Sequence, residues 1–271
     1  MKIHFYKYQA TGNDFVLIDN REGKFSFSAS DITRICDRRF GVGADGLILI
    51  EKDPSLDFNL VYYNSDGSQS LCGNGSRAAV MMASYLGMVN GHTKFNAYDG
   101  PHDAELTSSE IVRLKMNDVT GIKKVQDDFF IHTGSPHHLR FVKNVEHYPV
   151  VEEGRKIRNS EIYEPAGTNV NFIELRDNNT IYVRTYERGV EDETFSCGTG
   201  VTAAALAASL YGYQSPVKIQ VKGGALSVEF NSARLSDTSP QTDLPADEST
   251  AFHDIFLVGP AKMVFEGDLD L

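Results

Sequence analysis

Two kinds of hydrophobic pattern occur along the chain. Apolar and polar residues alternate in residues 181–186 and 217–221, and residues 47–50 form a short apolar run after a glycine. Both patterns are typical of strands. Residues 78–83 and 203–208 are instead small and apolar at almost every position, which predicts helices that are buried on all sides. The pattern therefore predicts a mixed fold of class α/β (α+β) that is rich in sheet.

The two buried helices belong to an internal repeat. Residues 72–87 read CGNGSRAAVMMASYLG and residues 197–212 read CGTGVTAAALAASLYG, and eight of these sixteen positions are identical without a gap. The copies are 125 residues apart, a spacing that is far too long for a solenoid. The repeat predicts two pseudo-symmetric lobes of similar build.

The boundary between the lobes is expected near residues 118–121, midway between the repeats. We therefore predict an N-terminal lobe at residues 1–117 and a C-terminal lobe at residues 118–261. Residues 232–250 are rich in Ser, Thr, Asp and Pro, which predicts a polar insertion that forms a mobile loop.

Composition and charge exclude several classes of function. The chain has 271 residues, about two domains at roughly 150 residues each. Its formal net charge of −11 argues against a nucleic-acid partner. The N-terminus lacks the apolar core of a secretory signal, and no apolar stretch reaches the roughly 18 residues that span a membrane. We expect a cytoplasmic protein without a membrane partner.

Three cysteines do not make a disulfide framework. Cys36 lies in the helix-like segment 31–40 beside Ile32 and Ile35, so we interpret it as a core residue. Cys72 and Cys197 each precede Gly-x-Gly at the start of a buried helix. A helix N-terminus favours anions, which lowers the pKa of a thiol there. The glycines allow backbone N–H groups to approach a carboxylate or a developing oxyanion.

Two matched thiols suggest a reaction that inverts a carbon centre. One thiolate removes the proton of a Cα next to a carboxylate, and the opposite thiol delivers a proton to the other face. The sequence does not assign the resting thiolate to either cysteine. It also leaves open a disulfide between the two cysteines in a binding protein without catalytic activity.

Eight motifs along the chain resemble, in their order, those of the diaminopimelate epimerases. Besides the two cysteine segments, the resemblance covers residues 10–15 (ATGNDF), 41–46 (GVGADG), 63–68 (YNSDGS), 134–137 (GSPH), 168–172 (TNVNF) and 186–189 (YERG). The resemblance implies a sheet curled around a central helix in each lobe, with a C-terminal strand at residues 262–271 crossing back to the first lobe. It also implies a homodimer.

The resemblance further implies a reaction and a set of site residues. The reaction is the interconversion of LL- and meso-2,6-diaminopimelate, in lysine and peptidoglycan precursor biosynthesis, without pyridoxal phosphate or metal. Cys72 and Cys197 would be the acid–base pair, with His137 and Glu187 setting their protonation. The substrate would be held by residues that offer backbone donors, amides or charges: Gly73, Asn74, Gly198 and Thr199 at the reacting end, and Asn13, Asn64, Asn169, Glu187 and Arg188 at the distal end.

Two positions depart from the family pattern. Gly46 stands where some members carry Gln, so a contact with the substrate is missing or is made by backbone. Ser135 stands where many carry Asn, so a water bridges the shorter reach. Of the remaining histidines, His138 is expected to be exposed. No histidine pair has metal-ligand spacing, and residues 41–46 lead into a strand rather than the helix of a dinucleotide site.

The main alternative within this chemistry is a two-cysteine racemase or epimerase of proline or hydroxyproline. Such a substrate has no distal carboxylate, and so gives no reason for Arg188 and three site amides.

Overall fold

A computed structural model of the chain describes residues 2–234 and 250–271. Most of the predicted polar insertion, residues 235–249, lies outside the described residues. The described part contains four α-helices: α1 (Ala29–Cys36), α2 (Gly73–Tyr85), α3 (Val150–Arg158) and α4 (Gly198–Ala208). None of the helices in the described ranges is long and apolar enough to cross a membrane.

Strands make up most of the remainder. Those in the first half are β1 (Lys2–Ala10), β2 (Asn13–Asp19), β3 (Gly46–Glu51), β4 (Phe58–Asn64), β5 (His92–Ala97), β6 (Gly100–Leu106), β7 (Ile111–Lys115), β8 (Val119–Thr120), β9 (Lys123–Val125) and β10 (Asp128–His132). They are followed by β11 (Pro136–Phe141), β12 (Asn169–Arg176), β13 (Thr180–Glu187), β14 (Asp192–Thr194), β15 (Val217–Val221), β16 (Gly224–Arg234), β17 (Thr250–Pro260) and β18 (Lys262–Asp270).

The chain divides into two compact units. Unit 1 comprises residues 1–114 and 259–271, and unit 2 comprises residues 115–258. The boundaries predicted from the sequence, after residue 117 and before residue 262, lie three residues from these positions.

Unit 1 is built on a mixed sheet in the order β18-β1-β2-β3-β4-β5-β6-β7. Its successive pairs are antiparallel, antiparallel, parallel, antiparallel, parallel, antiparallel and antiparallel. The C-terminal strand β18 pairs with β1 over Lys2–Gln9 with one irregularity. The last strand of the chain thereby covers the edge of the first.

Unit 2 repeats this arrangement. Its sheet runs β9-β10-β11-β12-β13-β15-β16-β17, and the same seven pair orientations follow in the same order. The short strand β14 adds to β13, and β8 adds to β17. The repeat detected in sixteen residues therefore extends to the whole topology of each unit.

A central helix lies against most of each sheet. Helix α2 packs on β1, β2, β3, β4, β6 and β18, and α4 packs on β10, β11, β12, β13, β15 and β16. Because one helix touches strands across nearly the full width of its sheet, each sheet curls around it. Residues 73–80 of α2 and 200–208 of α4 are buried, as small residues on every face predict.

A second helix lies outside each sheet at the equivalent place in the order. Helix α1 follows β2 and packs on β3, and α3 follows β11 and packs on β12 and β13. Helix α1 begins two residues before the predicted segment and ends at Cys36, because residues 37–45 form a loop instead of continuing the helix. Cys36 packs in a core cluster with Ile32 and Ile35, and burial raises the pKa of its thiol to about 11.

Candidate active site

Cys72 occupies the N-cap position of α2, in extended backbone conformation. The N–H of Gly75 donates to its Sγ at 3.3 Å, and Sγ lies 3.7 Å from Oδ1 of Asn13. Backbone N–H groups at the start of a helix favour a negative charge. The sulfur is therefore placed where both a thiol and a thiolate find hydrogen-bond partners.

Asn13 reaches this sulfur from the turn between β1 and β2. Ala10 pairs with Asn13, and both residues between them, Thr11 and Gly12, have positive φ angles of 49° and 85°. Such a two-residue turn matches the twist of a hairpin, and glycine readily adopts positive φ. The Asn13 amide then donates to Asp45 at 2.7 Å, which leaves its Oδ1 facing Cys72.

Asn74, in the first turn of α2, joins the same network. Its amide donates to Oδ1 of Asn13 at 3.1 Å, and its own oxygen accepts from Arg77 at 3.1 Å. Asn64 ends β4 and donates to Ser68 and Ser70 at 3.0 and 3.2 Å. We define the Cys72 cluster as Cys72, Asn13, Asp45, Asn74 and Arg77.

Gly46 is buried at the start of β3, directly opposite Asn64. A Cβ atom added there would lie 2.5 Å from a ring carbon of Tyr62 and 2.6 Å from the carbonyl of Tyr63. A larger residue at this position would displace the Tyr62 ring. The glycine that stands here in place of the family's Gln therefore leaves room for the Tyr62 ring, which occupies the space beside it.

Cys197 occupies the equivalent N-cap position of α4 and is 7% exposed. Its Sγ lies 3.6 Å from Oγ1 of Thr199. That hydroxyl is 2.9 Å from Nε2 of His137 and 3.0 Å from Oγ of Ser135, which is itself 2.9 Å from Nε2. The structure thus brings four of the predicted residues together, and we call these the Cys197 cluster.

His137 is fully buried on β11 and is held as a neutral ring. Burial lowers its pKa to about 3, with smaller contributions from the charges of His132 and Arg188. The amide of Asn171 donates to its Nδ1 at 3.1 Å, so that Nε2 carries the proton and faces the two hydroxyls. The neutral ring therefore acts on the Cys197 side through hydrogen bonds and not through a positive charge.

Asn171 is the residue that the sequence prediction missed. Its oxygen accepts from Thr185 at 2.9 Å, which fixes the direction of its amide toward His137. A Cβ atom at Gly200 would lie 2.4 Å from that oxygen, so α4 approaches the amide closely only because residue 200 is glycine. The sequence could have indicated Asn171, because side chains two residues apart in a strand share a face and Asn169 was already a candidate.

Asn169 and Arg188 are joined near the end of β13. The N–H of Arg188 donates to Oδ1 of Asn169 at 2.9 Å, and the Asn169 amide donates to the carbonyl of Pro136 at 3.0 Å. The Arg188 guanidinium donates to the carbonyl of Ala166 at 3.2 Å. Glu187, the last residue of β13, is half-buried. These residues belong to unit 2, as does the Cys197 cluster.

The expectation that His138 is exposed was wrong. It is 4% exposed, and its ring lies 3.0 Å from Asp128 and 2.8 Å from the hydroxyl of Tyr163. Strand β11 is covered on both faces, so that neighbouring histidines pointing to opposite sides are both buried.

The chemistry available in each cluster is that of an acid–base thiol beside anion-binding backbone donors. Each unit supplies one sulfur at the N-terminus of a buried helix, and the described residues, which include all three cysteines, contain no disulfide. Those residues also contain no group of three His, Cys, Asp or Glu side chains placed to hold a metal ion.

Comparison with known proteins places this arrangement in a family. The sequence model described as diaminopimelate epimerase matches residues 5–120 and 129–241. The diaminopimelate epimerase of Flavobacterium psychrophilum is 46% identical over 265 residues, covering 96% of this chain and 98% of that protein. The enzyme of the same name from Chlorobaculum tepidum is 39% identical over 271 residues, with coverage of 96% and 98%.

Solved structures show the same fold at low identity. A phenazine biosynthesis protein of the PhzF family from Bacillus anthracis has a TM-score of 0.72 at 14% identity, covering 100% of both chains. A hydroxyproline epimerase from Agrobacterium vitis has a TM-score of 0.70 at 13% identity, covering 100% of this chain and 93% of the other. These neighbours share the architecture, whereas the sequence matches are specific to one group: the chain belongs to the diaminopimelate epimerase family.

Proposed function

We propose that this protein interconverts LL- and meso-2,6-diaminopimelate by moving a proton at one Cα between two cysteines. The observation that carries the proposal is the pair of matched thiols, each at the N-cap of a buried helix. The family membership supports the substrate, because the relatives that align over nearly their whole length carry that name.

In the proposed reaction one thiolate takes the α-proton, and its electron pair is delocalised into the neighbouring carboxylate. The opposite thiol then donates its proton to the other face of the carbon. The two sulfurs have exchanged protonation states at the end, and no atom is gained or lost. Backbone N–H groups of Gly73–Asn74 and Gly198–Thr199 stabilise the charge that develops on the carboxylate oxygens.

The remaining candidate residues are proposed to hold the non-reacting end of the substrate. Arg188 suits the distal carboxylate, since a guanidinium binds a carboxylate with two parallel hydrogen bonds. Glu187 is proposed to accept from the distal ammonium and, with His137, to set the protonation of the thiols. The amides of Asn13, Asn64 and Asn169 complete the set, with Ser135 acting through a water and Gly46 through its backbone.

Exchange of the α-proton in D2O tests both the reaction and the substrate. We expect deuterium to enter LL-diaminopimelate and its meso product, and no deuterium to enter proline or hydroxyproline under the same conditions. Exchange into proline but not into diaminopimelate would overturn the substrate and favour the alternative racemase.

Alanine variants of the two cysteines test the two-base scheme. Cys72→Ala and Cys197→Ala should each abolish the interconversion while the circular dichroism and urea midpoint stay close to those of the parent. Cys36→Ala is the matched control, because its buried thiol has a raised pKa and lies outside both clusters. Substantial epimerase turnover in either site variant would exclude the scheme. If reduction loosened the fold instead of supporting turnover, a binding protein with a structural disulfide would be favoured.

Four finer properties follow from family membership as proposals. We infer that the enzyme works in the cytoplasm, forms a homodimer, needs no pyridoxal phosphate, and contributes to lysine and peptidoglycan precursor biosynthesis. Activity of protein stripped of small molecules, with unchanged turnover in carbonyl-trapping reagents, tests the independence from pyridoxal phosphate. Light scattering tests the dimer.

A further inference from the structure

Arg77 is a buried cation in the helix that carries Cys72. Its side chain is 0% exposed, and its guanidinium donates to Oδ1 of Asn74 at 3.1 Å. Two longer contacts, both 3.5 Å, reach the carbonyl of Gly73 and the hydroxyl of Thr11. In the part of the chain that the structure describes, its Nε has no hydrogen-bond partner.

An arginine buried in this way is costly unless a negative charge compensates it. The described residues give Arg77 no ion pair with a carboxylate, whereas Asp45 is paired with Arg38 and Asp14 is paired with both Lys7 and Arg38. Burial lowers the pKa of the Arg77 guanidinium to about 10, and a negative charge on Cys72 would raise it again. Such an effect is reciprocal, so the guanidinium also favours the thiolate.

A chain of hydrogen bonds links the two groups as well. Arg77 donates to Asn74, Asn74 donates to Oδ1 of Asn13, and the same oxygen is the acceptor that faces the Cys72 sulfur. The Asn13 oxygen accepts from the S–H group and so favours the thiol, whereas the N–H of Gly75 donates to the same sulfur and favours the thiolate. These two contacts oppose each other, and the buried charge of Arg77 adds to the side of the thiolate.

The second copy of the repeat provides an internal comparison. Thr202 stands at the position of Arg77, five residues after the cysteine, and its hydroxyl donates to the carbonyl of Gly198 at 2.9 Å. Arg77 contacts the carbonyl of Gly73, at the corresponding place in α2. The equivalent carbonyl of each helix thus accepts a hydrogen bond from a side chain, which is a cation in α2 and a neutral hydroxyl in α4.

The other charged groups near the two helices have partners or are exposed. Around Cys72, β6 bears His102, paired with Asp99, and Asp103, paired with His92. On β18 the charged side chains are exposed, and burial raises the pKa of Tyr8 on β1, which keeps that phenol neutral. Around Cys197, the neutral His137 lies within hydrogen-bond reach of Thr199, and the oppositely charged Glu187 and Arg188 are neighbours on the chain.

From this geometry we propose that Arg77 is a positioning residue that holds the Cys72 sulfur as the thiolate in the substrate-free enzyme, and so makes the two thiols inequivalent. The inference rests on the proposed use of Cys72 as an acid–base group. Its test needs no substrate, so its failure and the failure of the proposed reaction can be told apart.

The experiment is alkylation by iodoacetamide as a function of pH, with the modified peptides of Cys72 and Cys197 quantified from the same sample by mass spectrometry. Only the thiolate reacts, so each midpoint reports the pKa of one cysteine. We expect a lower midpoint for Cys72. Arg77→Met should raise that midpoint by one unit or more, which slows alkylation at least tenfold at pH values below both midpoints, and should leave the Cys197 midpoint in place.

Two further variants separate charge from structure. Arg77→Lys keeps a cation and should restore at least part of the low midpoint, whereas Arg77→Gln should behave like the methionine variant. Thr202→Val is the matched control in α4 and should leave both midpoints unchanged. The proposal is overturned if Arg77→Met leaves the Cys72 midpoint unchanged in a protein that unfolds cooperatively in urea, or if the lysine and methionine variants shift it equally. If Arg77→Met does not fold, the lysine and glutamine variants decide in the same way.

Discussion

The two thiols occupy matching backbone positions but differ in the side chains around them. Cys72 faces an amide oxygen and lies in the helix that buries Arg77, while Cys197 faces the hydroxyl of Thr199. The positive end of the helix dipole acts on both sulfurs. The N–H of Gly75 also donates to Cys72, whereas the Cys197 side chain caps no backbone N–H of α4. Differences in their protonation therefore come from this cap bond and from the neighbouring side chains, at positions where the two repeat copies diverge.

The buried neutral ring of His137 leads to a prediction about pH. Its pKa is about 3 in the folded protein, below the value of 6.5 for an unperturbed histidine. As the pH falls below 6.5 the unfolded chain binds this proton first, so the free energy of unfolding decreases between pH 6 and pH 4 by up to about 1.4 kcal/mol per pH unit from this one group. His137→Gln should lose that contribution, and its stability should depend less steeply on pH.

Urea unfolding at pH 6, 5 and 4 measures the difference in slope. Carboxylates contribute a similar trend to both proteins, so the comparison between variants isolates the histidine. His147→Gln is the matched control, because that ring is exposed and is not among the groups that lower the pKa of His137, so the slope should stay as in the parent. Equal slopes for the parent and His137→Gln would mean that the ring is not held neutral by burial.

Site residues could be predicted from the sequence where a recognised motif contains a side chain suited to the chemistry. The two cysteines were candidates, as were His137, Ser135 and Thr199, and these last three lie together in one network with Cys197. The contribution of Asn171 was missed because its partners, Thr185 and His137, are brought to it by strand pairing that a single sequence does not specify. The expectation for His138 failed for the same reason, since the residues that cover it are Asp128 and Tyr163.

Among the elements, α2 and α4 were predictable because a helix made of small apolar residues can only be accommodated inside a structure. Helix α1 was predicted at residues 31–40 but spans residues 29–36, because a helical pattern does not show where the loop of residues 37–45 begins. The short strands β8, β9 and β14 gave no signal, because two or three residues carry too little alternation to be recognised.

The glycines at the fourth position of each repeat, Gly75 and Gly200, are identical in sequence but differ in packing. A Cβ atom at Gly200 would lie 2.4 Å from Oδ1 of Asn171, whereas one at Gly75 would lie 3.2 Å from Cδ1 of Ile48, the end of a flexible side chain. Overpacking of this kind costs about 1–3 kcal/mol. We expect Gly200→Ala to destabilise the protein by that amount.

For Gly75→Ala, a gain in helix propensity of up to about 1 kcal/mol offsets the smaller contact. Its free energy of unfolding should stay within about 1 kcal/mol of the parent. Urea denaturation of the two variants provides the comparison. If Gly75→Ala were the more damaging substitution, the close approach of Asn171 to α4 would not limit the size of residue 200.

At the scale of the whole molecule, the sixteen-residue sequence repeat predicted two similar lobes, and the strand order is the same in the two units. Seven successive pairings have the same orientations in both units. Strand order depends on contacts between residues far apart in the chain, which local patterns do not encode. The division into lobes at residues 117 and 261 stays a prediction about independent domains.

The final strand offers a test of how unit 1 is completed. Strand β18 pairs with β1 almost throughout its length, Leu269 and Leu271 pack against the core cluster that contains Phe5, and Gly267 lies opposite Phe5. Ending the chain after Ala261 removes these contacts and leaves β1 as an uncovered edge.

We expect the truncated protein to lose amide protection in β1 and β2, measured by hydrogen exchange and mass spectrometry, while β12 and β13 of unit 2 keep more of theirs. Met263→Ala changes an exposed side chain on the same strand and should leave the protection of β1 as in the parent, since substitutions at such positions usually alter stability by less than about 0.5 kcal/mol. Full protection of β1 after truncation would show that unit 1 is held together without its C-terminal strand, and the first strand would then owe its order to β2 and α2 alone.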